Sequence, residues 1–135
     1  MKEVSWEDCL SNNSARKITP DIMRAKSLVE TAQSRIELIR DINEKNSNFV
    51  FEDYYTSALE ILQAIAFKIG YNILNHVCLG FFLKDVLKKE ELFRIFDDVR
   101  FKRNSLTYYG KRMDFEVAKD AIEKCKKLIK EISKI

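Results

Sequence analysis

The sequence predicts an all-α fold: an antiparallel, up-and-down bundle of about five main helices, with a short extra helix at the N-terminus. Three observations carry that expectation. Glycine occurs three times and proline once in 135 residues, too seldom for the frequent tight turns of a sandwich or barrel. Apolar side chains recur at spacings of three and four along most of the chain, the period of a helix face. Hydrophobic residues make up 46% and charged residues 33%, the balance of a globular domain rather than of a disordered segment. The length suits one domain over residues 1–135, and no repeat, low-complexity stretch or linker divides it.

Each helix has its own signals. Ser5-Trp6-Glu7-Asp8 reads as a capping box, with Ser5 at the N-cap and a carboxylate three residues on, opening a short helix to about Leu10. The polar residues 11–14 then turn the chain. Thr19-Pro20-Asp21 predicts the next start, with Thr19 as cap and Pro20 at the first helical position. From there Ile22, Ala25, Val29, Ala32, Ile36 and Ile39 form one face, which fades over residues 43–48 with their three asparagines. A third helix is expected from Phe51 or Glu52, with Tyr55, Ala58, Leu62, Ile65 and Ile69 as its stripe and Leu59, Ile61 and Ala66 widening it. A stripe that wide belongs to a central helix touched on several sides. Gly70 should stop it.

Asn75 is placed to cap a fourth helix bearing Leu79, Phe82, Leu83 and Val86, in which Gly80 is either a weak point or a mark of close helix packing. A fifth runs from Glu90 to about Tyr108, with Leu92, Phe96, Val99, Arg103 and Leu106 on one face and Gly110 as its stop. Asp114 caps the last, whose stripe is Val117, Ala118, Ala121, Ile122, Cys125, Leu128, Ile129 and Ile132, with lysines on the outer face. The short connections imply antiparallel neighbours.

Several function classes drop out. Gly70, Gly80 and Gly110 are scattered and form no phosphate-binding glycine loop. The one histidine, His76, excludes multi-histidine metal centres, and at the start of a helix it is expected to cap or pack. Cys9, Cys78 and Cys125 form no CxxC pair, so no metal or cofactor is implied. With no leader-like segment before them, they are expected to be reduced thiols of a cytoplasmic protein, Cys78 and Cys125 as small core residues. No apolar run approaches the roughly 20 residues that cross a bilayer. Net charge is +3, mildly basic, so any nucleic-acid affinity must come from a local patch.

One segment stands out. Residues 100–112 carry five basic side chains (Arg100, Lys102, Arg103, Lys111 and Arg112) and three aromatics (Phe101, Tyr108 and Tyr109) without an acid. Aromatics interleaved with Arg and Lys can stack bases and hold phosphates; a solvated basic helix end is the plainer alternative. Arg103 lies in line with core positions. A buried guanidinium needs a carboxylate partner, a cleft or a second subunit, because it does not deprotonate and is costly to leave unpaired. Glu60, in the central helix, is the expected intramolecular partner.

Arg103-Asn104-x-x-x-Tyr108-Tyr109-Gly110 resembles the signature segment of HEPN domains (higher eukaryotes and prokaryotes nucleotide-binding), small bundles of four to five helices. Residues 51–66 resemble that family's central helix, and Ile69-Gly70-Tyr71 with Asn75-His76 and Phe82-Leu83 resembles the turn and helix that follow; the likeness spans roughly residues 20–132. The resemblance implies a homodimer in which two arginine motifs face one cleft. It also implies RNA or a nucleotide as ligand, and for some members a metal-independent ribonuclease toxin paired with a nucleotidyltransferase antitoxin. Carried over, Arg103 would steady phosphate charge, Asn104 would position the backbone, and Tyr108 stands where the family has histidine, with Tyr109 as the next candidate. A tyrosine with its ordinary value near ~10 is a poor acid or base at neutral pH. The expectation is therefore binding without efficient cleavage, with two alternatives: a ribonuclease toxin, or a non-enzymatic docking partner of a nucleotidyltransferase. Phe81, Phe101 and Tyr109, off the main stripes, are the candidate dimer contacts.

Overall fold

The computed structural model describes residues 2–135 and shows an all-α helical bundle. In chain order the elements are α1 (Trp6–Ser11), β1 (Ala15–Lys17), α2 (Ile22–Glu37), α3 (Ser47–Ile69), β2 (Tyr71–Ile73), α4 (His76–Phe81), which continues into a π-helical turn over Phe82–Val86, α5 (Glu90–Tyr109) and α6 (Phe115–Ile132). The central role read for α3 holds: it packs against α2 on one side and α6 on another, and its Phe51, Tyr55 and Leu62 are all but inaccessible. Around them close Leu79, Phe82, Leu83, Phe96, Val99, Ile122, Leu128 and Ile132. The consecutive long pairs run antiparallel. Asp21 at the head of α2 donates its N–H to Phe67 near the end of α3, and Lys127 of α6 reaches back to Glu91 at the start of α5.

The caps with short-range chemistry fall where the sequence puts them. Ser5 Oγ accepts from the Asp8 N–H at 3.2 Å, and the Asp8 carboxylate accepts from the Val4 N–H at 2.9 Å. Asn75 Oδ1 accepts from the Cys78 N–H, and Asp114 Oδ1 from the Val117 N–H. Gly70 and Gly110 close α3 and α5 in the left-handed region, at φ +116° and +61°. Gly80 marks close packing: a Cβ there would sit 3.2 Å from the Phe93 ring and 3.3 Å from that of Phe96.

Several expectations need correction. Helix α2 is capped by Asp21, whose Oδ1 accepts from the Arg24 N–H, and not by Thr19. Residues 18–21 are held instead against the end of α3, through Ile18 N–H to Gly70 O and Asp21 N–H to Phe67 O. The same helix stops at Glu37, short of the asparagines. Helix α3 begins at Ser47, ahead of Phe51, because those asparagines build its entrance: Asn43 Oδ1 accepts from the Lys45 and Asn46 N–H groups, and Asn46 Oδ1 accepts from the Asn43 N–H. Residues 15–17, just past the expected turn at 11–14, pair with residues 71–73, just past the expected stop at Gly70, as a small antiparallel sheet with Ala15 opposite Ile73. Strands this short carry too little alternation to show in the sequence.

A further correction concerns the cysteines. Cys9 and Cys78 form a disulfide across 69 residues of sequence, their Cα atoms 5.9 Å apart. Docking of α1 brings them together: Trp6 is buried edge-on to Tyr71 and tilted against Phe82, and its N–H donates to Asp85. Only Cys125 is a free thiol, buried under α6 and pushed up to about 12 by that burial. Among the described residues, no helix is long and apolar enough to cross a membrane.

Candidate functional site

The second half of α5 presents the basic segment, and the side chains in it divide sharply. Arg100 is neutralised one turn back: its Nη2 and Nε lie 2.8 Å and 3.1 Å from Asp97 Oδ1. Lys102 Nζ lies 2.6 Å from Asp98 Oδ2, an oxygen it shares with Lys124 of α6 at 3.0 Å. The acids absent from residues 100–112 therefore sit immediately before them, and two of the five expected cations are engaged by carboxylates of α5 itself, one of which, Asp98, also ties α5 to α6 through Lys124.

Arg103 is different. It is half-buried, and it makes no ion pair among the described residues. Glu60 is not its partner: that carboxylate accepts both Arg35 Nε at 3.2 Å and Arg35 Nη2 at 3.0 Å, a two-pronged bridge between α2 and α3. The sequence placed Glu60 beside the stripe correctly but could not say which neighbouring helix faced it. The Arg103 guanidinium lies instead over the Tyr55 ring, 5.8 Å from its centroid, a cation–π contact that leaves the N–H donors largely unspent.

Tyr55 links the site together. Its side chain is 1% exposed and stacks on Phe96 at an interplanar angle of 14°. Its hydroxyl meets His76 Nδ1 at 3.1 Å. Burial drives the phenol well above its ordinary value, against the opposing pull of Arg103 and Arg100, so Tyr55 keeps its proton. His76, half-buried at the first turn of α4, is shifted down, first by burial and then by Arg103 and Arg100. It is a neutral imidazole at neutral pH. His76 packs, as expected, against the Tyr55 ring beside the Asn75 cap, and the fold also brings it into the electrostatic reach of Arg103. No local signal could have found this, because the convergence runs through Tyr55 on a third helix.

The other expected residues form a rim. Asn104 is half-buried behind Arg103. Tyr108 and Tyr109 are 69% and 80% exposed, and Phe101 is 68% exposed. Tyr108 is mostly exposed, yet it lies close enough to raise the Tyr55 phenol slightly. Lys111 and Arg112 are exposed and form no ion pair among the described residues. Their loop is fixed by Asn48, buried at the start of α3, which accepts from the Met113 N–H at 2.9 Å and donates to the Met113 carbonyl at 3.0 Å. Phe81 is half-buried and stacks on Phe93 of its own chain.

Comparison of the chain with protein-family models, with curated proteins and with solved structures finds no match. The chemistry of the site is what its side chains supply. Arg103 and the neutral His76 imidazole both meet Tyr55, and the end of α5 and the loop after it add two exposed phenols and two exposed cations. Guanidinium and ammonium groups without carboxylate partners are chemically suited to an oxyanion, and exposed phenol rings to planar bases.

Proposed function

We propose that this face of α5 binds the phosphate backbone of RNA or of a nucleotide, in a HEPN-like homodimer that does not cleave its ligand efficiently. The observation that supports it best is Arg103, half-buried over Tyr55 with no carboxylate to neutralise it. Desolvating a guanidinium without a partner is expensive, and an incoming phosphate offsets that cost with charge-assisted hydrogen bonds. Lys111 and Arg112 add long-range attraction, and Tyr108 and Tyr109 offer ring faces for bases. Phe101 and Tyr108 lie seven residues apart on the outer face of α5, where a second copy can cover them and bring the two Arg103 side chains to one groove.

The test is fluorescence anisotropy with a labelled oligoribonucleotide, comparing the wild type with Arg103→Ala and with Lys111→Ala/Arg112→Ala. Arg103→Ala should weaken binding about tenfold or more, the loss expected when charge-assisted hydrogen bonds go. The double variant should lower the slope of log affinity against log salt by about one to two. Equal affinity for wild type and Arg103→Ala removes the proposal. Recovery of shortened RNA after incubation in chelator replaces binding with hydrolysis.

A further inference from the structure

The contact between Tyr55 and His76 decides which ring nitrogen carries the proton. The Tyr55 hydroxyl is buried, and its recorded hydrogen-bond partner is His76 Nδ1 at 3.1 Å. A buried O–H that finds no acceptor is costly, so the phenol donates to Nδ1. A neutral imidazole that accepts at one nitrogen donates at the other. Nδ1 is thus occupied as an acceptor, and Nε2 bears the hydrogen on the far side of the ring.

Building on the phosphate-binding reading of this face, we infer that His76 acts there as a neutral Nε2–H donor to a phosphodiester oxygen. Tyr55 is the positioning residue that fixes this tautomer. Arg103 supplies the charge, and His76 supplies an uncharged hydrogen bond directed by α4 rather than α5.

Two consequences separate this role from that of an imidazole base. The Nε2 lone pair is not available to take a proton from a 2′-hydroxyl, and the Nδ1 lone pair is held by Tyr55. The site therefore grips a phosphodiester without opening it. Binding is also level between pH 7 and pH 8.5, because His76 stays neutral and Tyr55 stays protonated over that range. The groups that face His76 are Tyr55 from α3, which keeps its proton, and the guanidinium groups of Arg100 and Arg103 from α5; Glu3 approaches its neighbour Asn75 at 3.4 Å and is ionised throughout.

Because the chain holds one histidine, a long-range proton–nitrogen NMR spectrum of the ring reports this side chain alone. The wild type at pH 7.5 should show the Nε2–H tautomer, and Tyr55→Phe should let the Nδ1–H form appear. Against a labelled octamer of uridine ribonucleotides, His76→Ala should weaken binding several-fold. His76→Gln, whose amide also donates, should recover most of that loss, and wild-type affinity should stay level between pH 7 and pH 8.5. An Nδ1–H or doubly protonated ring at pH 7.5 overturns the inference, even if Arg103→Ala still weakens RNA binding and the phosphate-binding reading survives. Affinity that climbs steeply as pH falls from 8.5 to 7 overturns it as well, since His76 would then bind as a cation. If neither Arg103→Ala nor His76→Ala changes RNA binding, the phosphate-binding reading falls, and this role for His76 falls with it.

Discussion

His76 contributes to stability in a way that its depressed titration makes measurable. In the unfolded chain its imidazole protonates near its ordinary value of about 6.5. In the fold, burial and the two nearby guanidinium groups delay protonation to lower pH. Below about 6.5 the unfolded state therefore binds more protons than the native state, and stability falls as pH falls. The loss continues until the folded pKa is passed and then levels off; above about 7 the group is neutral in both states and contributes no slope. Denaturant titrations from pH 8 to pH 5 should show this decline in the wild type, at no more than about 1.4 kcal/mol per pH unit. His76→Gln should be flat over the upper part of that range. Glu3 does not confuse the reading, because hydrogen bonds led by that from Asn12 hold its carboxyl at about 2. A wild-type curve as flat as that of His76→Gln would mean that the imidazole is as well solvated in the fold as out of it.

At the scale of the element, the two glycine stops of α3 and α5 look alike in sequence and differ in what surrounds them. Both need a positive φ, but a Cβ on Gly70 would fall 2.9 Å from the Ile18 carbonyl oxygen, whereas one on Gly110 would meet nothing within 4 Å. Gly110→Ala should cost about 1 kcal/mol, the penalty of a left-handed alanine. Gly70→Ala should cost that and more, roughly 2–3 kcal/mol, because the Ile18 N–H is already bonded to the Gly70 carbonyl at 2.8 Å and the strand segment cannot back away freely. Thermal or denaturant unfolding of the two variants reads the difference, and equal losses would show that residues 15–18 yield. The contrast also shows what is legible in a sequence. Stops and caps made by one residue and its near neighbours (Ser5, Asn75, Gly70, Gly110 and Asp114) can be read directly. The starts of α2 and α3 are harder: Thr19 and Asp21 both offer a cap, and the long-range Asp21–Phe67 bond accompanies the choice of Asp21, while the Asn43–Asn46 exchange is local but lies outside the apolar stripe by which α3 is read. The site divides in the same way. Arg103 on an apolar stripe is visible as an anomaly within α5, but its true neighbours Tyr55 and His76 lie on other helices, and its supposed partner Glu60 belongs to Arg35.

For the whole molecule, the Cys9–Cys78 bond ties the N-terminal segment to the element that carries His76. Helix α1 is six residues long, far below the length at which an isolated helix holds in water. It stays folded through burial of Trp6, the Asp8–Val4 and Ser5–Asp8 bonds, and the disulfide. Closing a loop of 69 residues removes chain entropy from the unfolded state worth about 4 kcal/mol in the loop-closure account. That is a large share of the roughly 5–15 kcal/mol that stabilises a domain. Reduction should therefore lower the unfolding midpoint markedly, and Cys9→Ser/Cys78→Ser should behave like the reduced wild type. Loss of α1 packing should also let α4 shift, so the His76 tautomer spectrum should broaden on reduction. The decisive measurement is a thiol count in denaturant. Without reductant the unfolded chain should expose one thiol, that of Cys125, and after reduction three. Three thiols before reduction would mean that Cys9 and Cys78 are only neighbours, and the stability now assigned to the bond would have to come from Trp6 and the core around it.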